Sequence, residues 1–420
     1  MLNRFFLVAV FFVLAFFVSN RLFGQTLKAR VDSVINSYVN RGIIPGAVVQ
    51  IKLAEKVLVS ESYGHAQIHT GRWQKLKVPH KMTTNHLFDI ASLTKVVGTT
   101  TAMMILVDRG KIRLDDKVVQ YIPSFSDGSK SDITIRHLLQ HTSGMYEWYP
   151  MYYRASGREQ VYELIHSLPV PNPVGIRRRY SDLGFTLLGE IIEKVSGMPL
   201  ENFLKQEVFD RLKMHHTFYN PHSEHHKLRI AATSFGNPYE KRMVYDPALG
   251  FQFAEINPDS WNAWRDYVLV GEVNDGNAWY GGKGVSGAAG LFSTVSDLQK
   301  LTDMLLSGGK IGETTFISSD VVSTFLTKDE FENGLGWVMD PKASFMKNVP
   351  PGSFGHTGFT GTSIVVIPER QLSVIILINR QHTGLTDGKN YFNVNLIRQA
   401  ILDSSLEVVK SSPVKNSGSR

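Results

Sequence analysis

The chain has 420 residues, 43% apolar and 20% charged, with 35 glycines, 17 prolines and no cysteine, which suits one large globular domain or two and excludes disorder and a disulfide-stapled scaffold. Without cysteine there is no thiol nucleophile, no Cys-based zinc or iron–sulfur site and no lipoprotein anchor, so covalent chemistry falls to oxygen or amine nucleophiles. The 45 basic and 38 acidic residues give a formal +7, but no basic run exceeds three residues, which argues against a nucleic-acid partner.

Residues 5 to 18, FFLVAVFFVLAFFV, are an unbroken apolar run behind Arg4. The run is shorter than the ~18–20 residues a spanning helix needs. With Leu22 and Gly24 at the recognised positions, residues 1–24 read as a signal peptide cleaved after Gly24. Loss of Arg4 and Arg21 would take the formal charge from +7 to +5. The protein is then exported, periplasmic or secreted. An uncleaved N-terminal anchor is the alternative, and only that form would involve a membrane.

Next, TLKARVDSVINSYVNRG carries apolar or aromatic residues at Leu27, Val31, Val34, Ile35 and Tyr38, a helical stripe that stops at Gly42. GAVVQIKL and KVLVSESYG read as two short strands. From about 93 to 330 the pattern is helical periodicity and loops, as in LTKVVGTTTAMMILVDRG and DLGFTLLGEIIEKVSG, each ended by a glycine. SIVVIP and LSVIILIN read as a hairpin around Glu369 and Arg370, and a last helix runs roughly from Tyr391 to Val408. Strands at both ends of a helical middle predict one sheet with a helical insertion.

Ser92 and Lys95 in ASLTK have the S-x-x-K spacing, which on a helix puts both side chains on one face, about 5–6 Å apart at Cβ. A lysine there can deprotonate the serine if desolvation or nearby positive charge lowers its pKa, and the run after it is apolar nearly all round. The spacing alone proves little, because it recurs at Ser307, Ser344 and Ser412. Only Ser92 heads a long apolar helix. Taken by itself it is either a nucleophile or a helix-capping serine.

The segment FDIASLTKVVGTTTAMMILVDRGKIRLDDKVVQYIPSF resembles the nucleophile segment of serine β-lactamases and penicillin-binding proteins, in their class C-like branch with related esterases and D-peptidases. The resemblance continues in order through HLLQHTSGM (137–145), YSDLGFTLLGEIIEKVSG (180–197), GVSGAAGLFSTVSDL (284–298), GLGW (334–337) and GHTGFTGTS (355–363), and spans roughly residues 26 to 408. It implies an α+β fold, an α/β sandwich of the β-lactamase/transpeptidase kind. An antiparallel sheet flanked by N- and C-terminal helices would occupy about 25–92 and 331–408. An all-helical subdomain would be inserted at about 93–330, with a flexible tail at 409–420. It also implies Ser92 as the acylated nucleophile, Lys95 as partner base and Tyr180 for proton transfer, with the oxyanion held by the backbone N–H groups of Ser92 and Phe359. Gly358 would let the strand approach the substrate, and the Thr357 hydroxyl would donate to a substrate carboxylate or carbonyl.

Two positions depart from that pattern. Asp182 stands where an asparagine is usual, so it accepts hydrogen bonds only; paired with Lys95 it would raise the lysine's pKa and shift the base role toward Tyr180. His356 replaces the lysine of K-T-G, so the charge meeting a substrate carboxylate is only partial near neutral pH, and β-lactam hydrolysis falls below ester or D-Ala-D-Ala-type peptide hydrolysis. Arg177, Arg178 and Arg179 either supply that charge or form a solvated basic turn.

Weaker signals give way to bland readings. Gly282, Gly284 and Gly287 satisfy G-x-G-x-x-G, but no strand precedes them and no helix follows directly. His215, His216, His222, His225 and His226 match no zinc spacing, and His137 and His141 read as members of a turn. Trp261, Trp264, Trp279 and Tyr280, with Asp275 and Asn277, either wall a cleft or pack the core. The sequence thus predicts an exported serine hydrolase, needing no metal or organic cofactor, that forms an acyl-enzyme with a small ester, a D-amino-acid peptide or a peptidoglycan-derived substrate. The alternatives are a β-lactamase, or a non-catalytic penicillin-recognising, peptidoglycan-binding relative.

Overall fold

The computed structural model describes residues 26–221 and 229–410. The signal-peptide segment, the polar tail after 410, and His222, His225 and His226 lie outside the described residues. Helix α1 (26–40) forms on the stripe read from sequence, with Leu27, Val31 and Ile35 fully buried. It ends where Gly42 takes φ +69°, a left-handed conformation that costs glycine little.

Strands β1 (Gly46–Leu53) and β2 (Lys56–His69) form an antiparallel hairpin. The edge strand β3 (Lys75–Lys81) alternates only at Leu76 and Val78 before Pro79, too short a pattern to read as a strand; its three lysines and one proline, nearly all exposed, blunt the sheet edge. Near the other end of the chain come β9 (Phe354–Thr357), β10 (Ser363–Ile367) and β11 (Leu372–Ile378). The six strands run in the order β3-β2-β1-β11-β10-β9, so the two ends of the chain meet at the antiparallel β1–β11 pair, in which Val49 faces Ile376.

Burial on both faces explains why β10 and β11 read as continuous apolar runs. Val49, Ile51, Val365, Val374 and Ile376 point to a core shared with α1 and the C-terminal helix, whereas Val48, Ile364, Val366, Ile375 and Leu377 point to the core of the insertion.

The insertion begins with α2, wound as a π-helix over Lys95–Thr100 and as an α-helix over Thr101–Asp108. It continues through α3 (Ile135–Leu139), α4 (Arg158–Ser167), α5 (Asp182–Ser196), α6 (Leu200–Phe203), α7 (Pro238–Tyr245), α8 (Val295–Leu306) and α9 (Ser319–Phe325). The C-terminal helix is α10 (Asn395–Lys410). The insertion is helical but not purely so. Strands β4 (Phe88–Asp89), β5 (Phe218–Tyr219) and β6 (Leu291–Ser293) form a small sheet, and β7 (Lys310–Ile311) pairs with β8 (Thr314–Thr315). Strands of two or three residues leave no period in a sequence, which is why the middle reads as all-helical.

Candidate active site

Ser92 lies in the turn between β4 and α2, and the residue before it, Ala91, has φ +46°. A side-chain-bearing residue in that region is strained and persists only when its surroundings fix it. Here the Ala91 N–H donates to Asp89 Oδ1 at 2.8 Å, and the Asn274 N–H donates to Asp89 Oδ2 at 2.6 Å. The Thr360 and Thr362 hydroxyls donate to the carbonyls of Asp89 and Ile90 at 2.7 and 3.1 Å. The nucleophile turn is therefore clamped between the 274 loop and the loop joining β9 to β10. Burial of Asp89 pushes its carboxyl up to about 6.

Lys95, the first residue of the π-helical stretch, has a side chain only 1% exposed. Its Nζ donates to Ser92 Oγ at 3.1 Å and to the Ala288 carbonyl at 2.9 Å, and lies 2.7 Å from Asp182 Oδ1. Ala288 belongs to the glycine-rich loop, which fits there because a Cβ on Gly287 would come within 2.2 Å of the Phe185 carbonyl of α5. Burial pulls the lysine's pKa down, but the charge of Asp182 outweighs it and holds Lys95 above its ordinary range. The lysine is an ammonium ion at neutral pH.

Tyr180 stands two residues ahead of α5, whose N-cap Ser181 accepts from the Gly184 N–H. Its ring centre lies 5.0 Å from Lys95 Nζ and 4.4 Å from the ring of His141. His141, at φ +61° and buried, accepts the Ser181 N–H on Nδ1 at 3.0 Å and so fixes the chain beside Tyr180. Burial raises the Tyr180 phenol above its usual range; Lys95 opposes that and Asp182 adds to it.

His356, on β9, is buried and neutral. Desolvation, reinforced by Lys95 and Arg178, takes it to about 3, and Nδ1 donates to the Thr357 carbonyl at 2.9 Å. This corrects the sequence expectation of a partial positive charge. Arg178 is half-buried near Tyr180 and the two histidines, while Arg179 reaches Glu147 at 3.5 Å. Gly358 also differs from expectation. A Cβ there would lie 2.1 Å from Thr362 Oγ1 and 2.4 Å from the Ile90 carbonyl, so the glycine admits the nucleophile turn rather than substrate. Among the described residues, no partner takes the N–H of Ser92 or of Phe359. The Phe359 carbonyl is held by the Arg380 guanidinium at 2.6 and 3.0 Å.

A cavity of about 300 Å³ opens over Ser92. Ser92, Tyr180, Asp182 and Phe359 line it, and His356, Thr357 and Gly358 are not among its lining residues. Trp148, Tyr239, Phe251 and Tyr391 supply its aromatic faces and Glu147, Glu240 and Asp275 its remaining carboxylates. Of these the sequence reading singled out only Asp275. Trp261, Trp264 and Tyr280 pack on one another and on Tyr152, in the same aromatic core as the cavity-lining Trp148 and Phe251, without lining the cavity themselves. Among the described residues no group of three or more His, Asp or Glu is placed to hold a metal ion, and no helix is long and apolar enough to cross a membrane.

The family model described as Beta-lactamase matches residues 31–399. A Bacillus subtilis (strain 168) protein named N-acetylmuramyl-L-alanine amidase is 30% identical over 391 residues, 89% of this chain and 85% of its own length. An Escherichia coli K12 protein, provisionally named D-alanyl-D-alanine carboxypeptidase, is 30% identical over 380 residues, 85% of this chain and 83% of its own. Among solved structures, EstCE1, a hydrolase with promiscuous acyltransferase activity, superposes with a TM-score of 0.66 at 22% identity over 90% of this chain and 99% of its own. A class C beta-lactamase does so with a TM-score of 0.66 at 19% identity, over 93% and 97%. The chain belongs to the beta-lactamase family and is a serine hydrolase of that family.

Proposed function

We propose that Ser92 is the nucleophile and that the protein cleaves an ester or a D-amino-acid-containing peptide of peptidoglycan origin through an acyl-enzyme. The observation that carries this reading is the contact of Ser92 Oγ, which lines the cavity together with Tyr180, with the buried Lys95 beneath it. Ser92 Oγ attacks the carbonyl carbon as its proton passes to the Tyr180 phenolate, which the Lys95 ammonium stabilises. The N–H groups of Ser92 and Phe359 hold the oxyanion. The proton then returns to the leaving alkoxide or amine, and water releases the acyl group by the same relay. The relatives named amidase and carboxypeptidase support a peptidoglycan-derived substrate, and the esterase-like structural neighbour supports an ester. With a neutral His356, β-lactam turnover ranks below both. The apolar N-terminal run supports export to the cell envelope, where such substrates occur.

The test is intact-protein mass after incubation with a serine-reactive phosphonate and, separately, with a penicillin. Both adducts are expected on the wild type and neither on Ser92→Ala. No adduct with either probe would overturn the nucleophile assignment and favour a binding protein. Persistent penicillin labelling without turnover of a chromogenic ester would do the same for hydrolysis.

Asp182→Asn tests the pairing. Asp182 holds protons on both Lys95 and Tyr180, so its neutralisation lowers both pKa values. The acid limb of the kcat/KM profile should move to lower pH by about one unit, equivalent to roughly 1.4 kcal/mol. An unchanged acid limb would remove Asp182 from the control of the base.

A further inference from the structure

The cleft beside Ser92 is acidic where a site for carboxylate-bearing substrates would be basic. Glu147, Asp182, Glu240 and Asp275 line it, and no lysine or arginine does. Two of these carboxylates are already matched: Asp182 with Lys95 at 2.7 Å, and Glu147 with Arg179 at 3.5 Å. Glu240 and Asp275 are not. Among the described residues neither has a lysine or arginine nitrogen within 4.0 Å. Of the guanidiniums nearby, Arg265 spends its hydrogen bonds on Asn237 Oδ1 and on the carbonyls of Val273 and Asn274 and reaches Glu272 instead at 3.5 Å, and Arg380 stands over the Phe359 and Tyr391 rings and donates to the Phe359 and Phe392 carbonyls.

Their positions are built rather than accidental. Glu240 Oε2 accepts the Gly276 N–H at 2.8 Å, and Asp275 Oδ1 accepts the Ala278 N–H at 2.8 Å, so each carboxylate is oriented by backbone. Glu240 Oε1 is buried and makes no hydrogen bond within 3.5 Å, its nearest donor being the Tyr152 hydroxyl, which is likewise unpaired. A buried acceptor left unpaired is costly unless something fills it. Burial, with the charge of Asp275 added, pushes Glu240 up to about 8, and burial with the charge of Asp182 pushes Asp275 up to about 6. Glu240 therefore rests largely protonated at neutral pH, and an arriving cation would favour its ionised form and that of Asp275. Trp148, Tyr239 and Phe251 add the aromatic faces that favour an ammonium ion over a neutral group.

We infer that the cleft selects substrates carrying an ammonium group, docked against Glu240 and Asp275: an amino-acid ester or amide, or a peptide with a free amino group. This deepens the proposed function and rests on Ser92 being the nucleophile in that cleft. It makes Glu240 and Asp275 specificity residues that touch substrate without taking part in bond cleavage.

The test uses calorimetric titration of the full protein with benzylammonium and with its neutral isostere benzyl alcohol, beside the phosphonate labelling of Ser92. Benzylammonium is expected to bind at least about ten-fold more tightly. Glu240→Gln and Asp275→Asn, near-isosteric changes, should each reduce that ratio, and the double variant should bring it near one, with melting curves showing that each is folded. In turnover, alanine p-nitroanilide should exceed N-acetylalanine p-nitroanilide in kcat/KM by a similar factor in the wild type only. A ratio near one in the wild type, or one that survives in the double variant, overturns the inference. Labelled Ser92 with a ratio near one overturns this inference alone; unlabelled Ser92 with the ratio intact overturns the nucleophile assignment alone.

Discussion

Lys95→Met is expected to lower kcat by about three to four orders of magnitude, the range lost with a positioned acid–base group. Methionine approximates the length of the lysine stem and its apolar packing but removes the charge that lies 2.7 Å from Asp182 and 5.0 Å from the centre of the Tyr180 ring. Two consequences follow from that one deletion. The Tyr180 phenol loses the charge that opposes its burial, so its pKa climbs and the phenolate becomes scarcer. Asp182 Oδ1 and the Ala288 carbonyl lose their partner. Breaking a buried ion pair from one side costs about 3–5 kcal/mol, and the partial exposure of Asp182, 24%, moves the expectation toward the lower end. Stability and activity can be separated with the double variant Lys95→Met/Asp182→Asn. It should recover most of the melting temperature, because no uncompensated carboxylate remains, while kcat stays low. Recovery of activity with stability would show that Lys95 matters only as a counter-ion.

Much of the sheet was legible because its physics is local. The stripe Leu27, Val31, Ile35 and the runs SIVVIP and LSVIILIN appear in the structure as α1, β10 and β11, and Gly42 and Gly197 end their helices in the left-handed region as expected. Strand β3 was not legible, because an exposed edge needs no apolar alternation. At the site, Ser92, Lys95, Tyr180 and Asp182 could be named because they stand in short contiguous motifs, ASLTK and YSD, that resemble the family's. Glu240 was not legible at all, and Asp275 only as one member of a cluster that would either wall a cleft or pack the core. They come from α7 and a loop, and only the packing of distant segments turns them toward Ser92. The lowered pKa of His356 was hidden for the same reason, since it comes first from burial among distant segments, with Lys95 and Arg178 adding to it. The tryptophan cluster shows the converse: a dense aromatic run in sequence that supplies no cavity-lining residue itself but packs in the same core as Trp148 and Phe251, which do line it.

Tyr180→Phe should lower kcat by about three orders of magnitude with little change in KM, because the phenol oxygen is needed for proton transfer and the ring is not. The ring contacts with Lys95, His141 and His356 do not involve that oxygen, so the melting temperature should move by no more than a few degrees. The pH profile carries the assignment. In the resting site both Lys95 and Tyr180 are held protonated, the first by Asp182 and the second by burial. Wild-type kcat/KM should therefore keep rising on the alkaline side as the phenolate fraction grows, and Tyr180→Phe should flatten that rise. The same electrostatics links the base to its substrate. An ammonium group settling beside Asp275, whose charge is felt together with that of Asp182, offsets the negative field that keeps the proton on Tyr180. A cationic substrate should then reach its half-maximal rate at lower pH than its N-acetylated counterpart, and in Tyr180→Phe that difference should vanish. If Tyr180→Phe retains the alkaline rise at wild-type amplitude, the proton passes to Lys95 instead, and the fall in kcat belongs to orientation of the lysine.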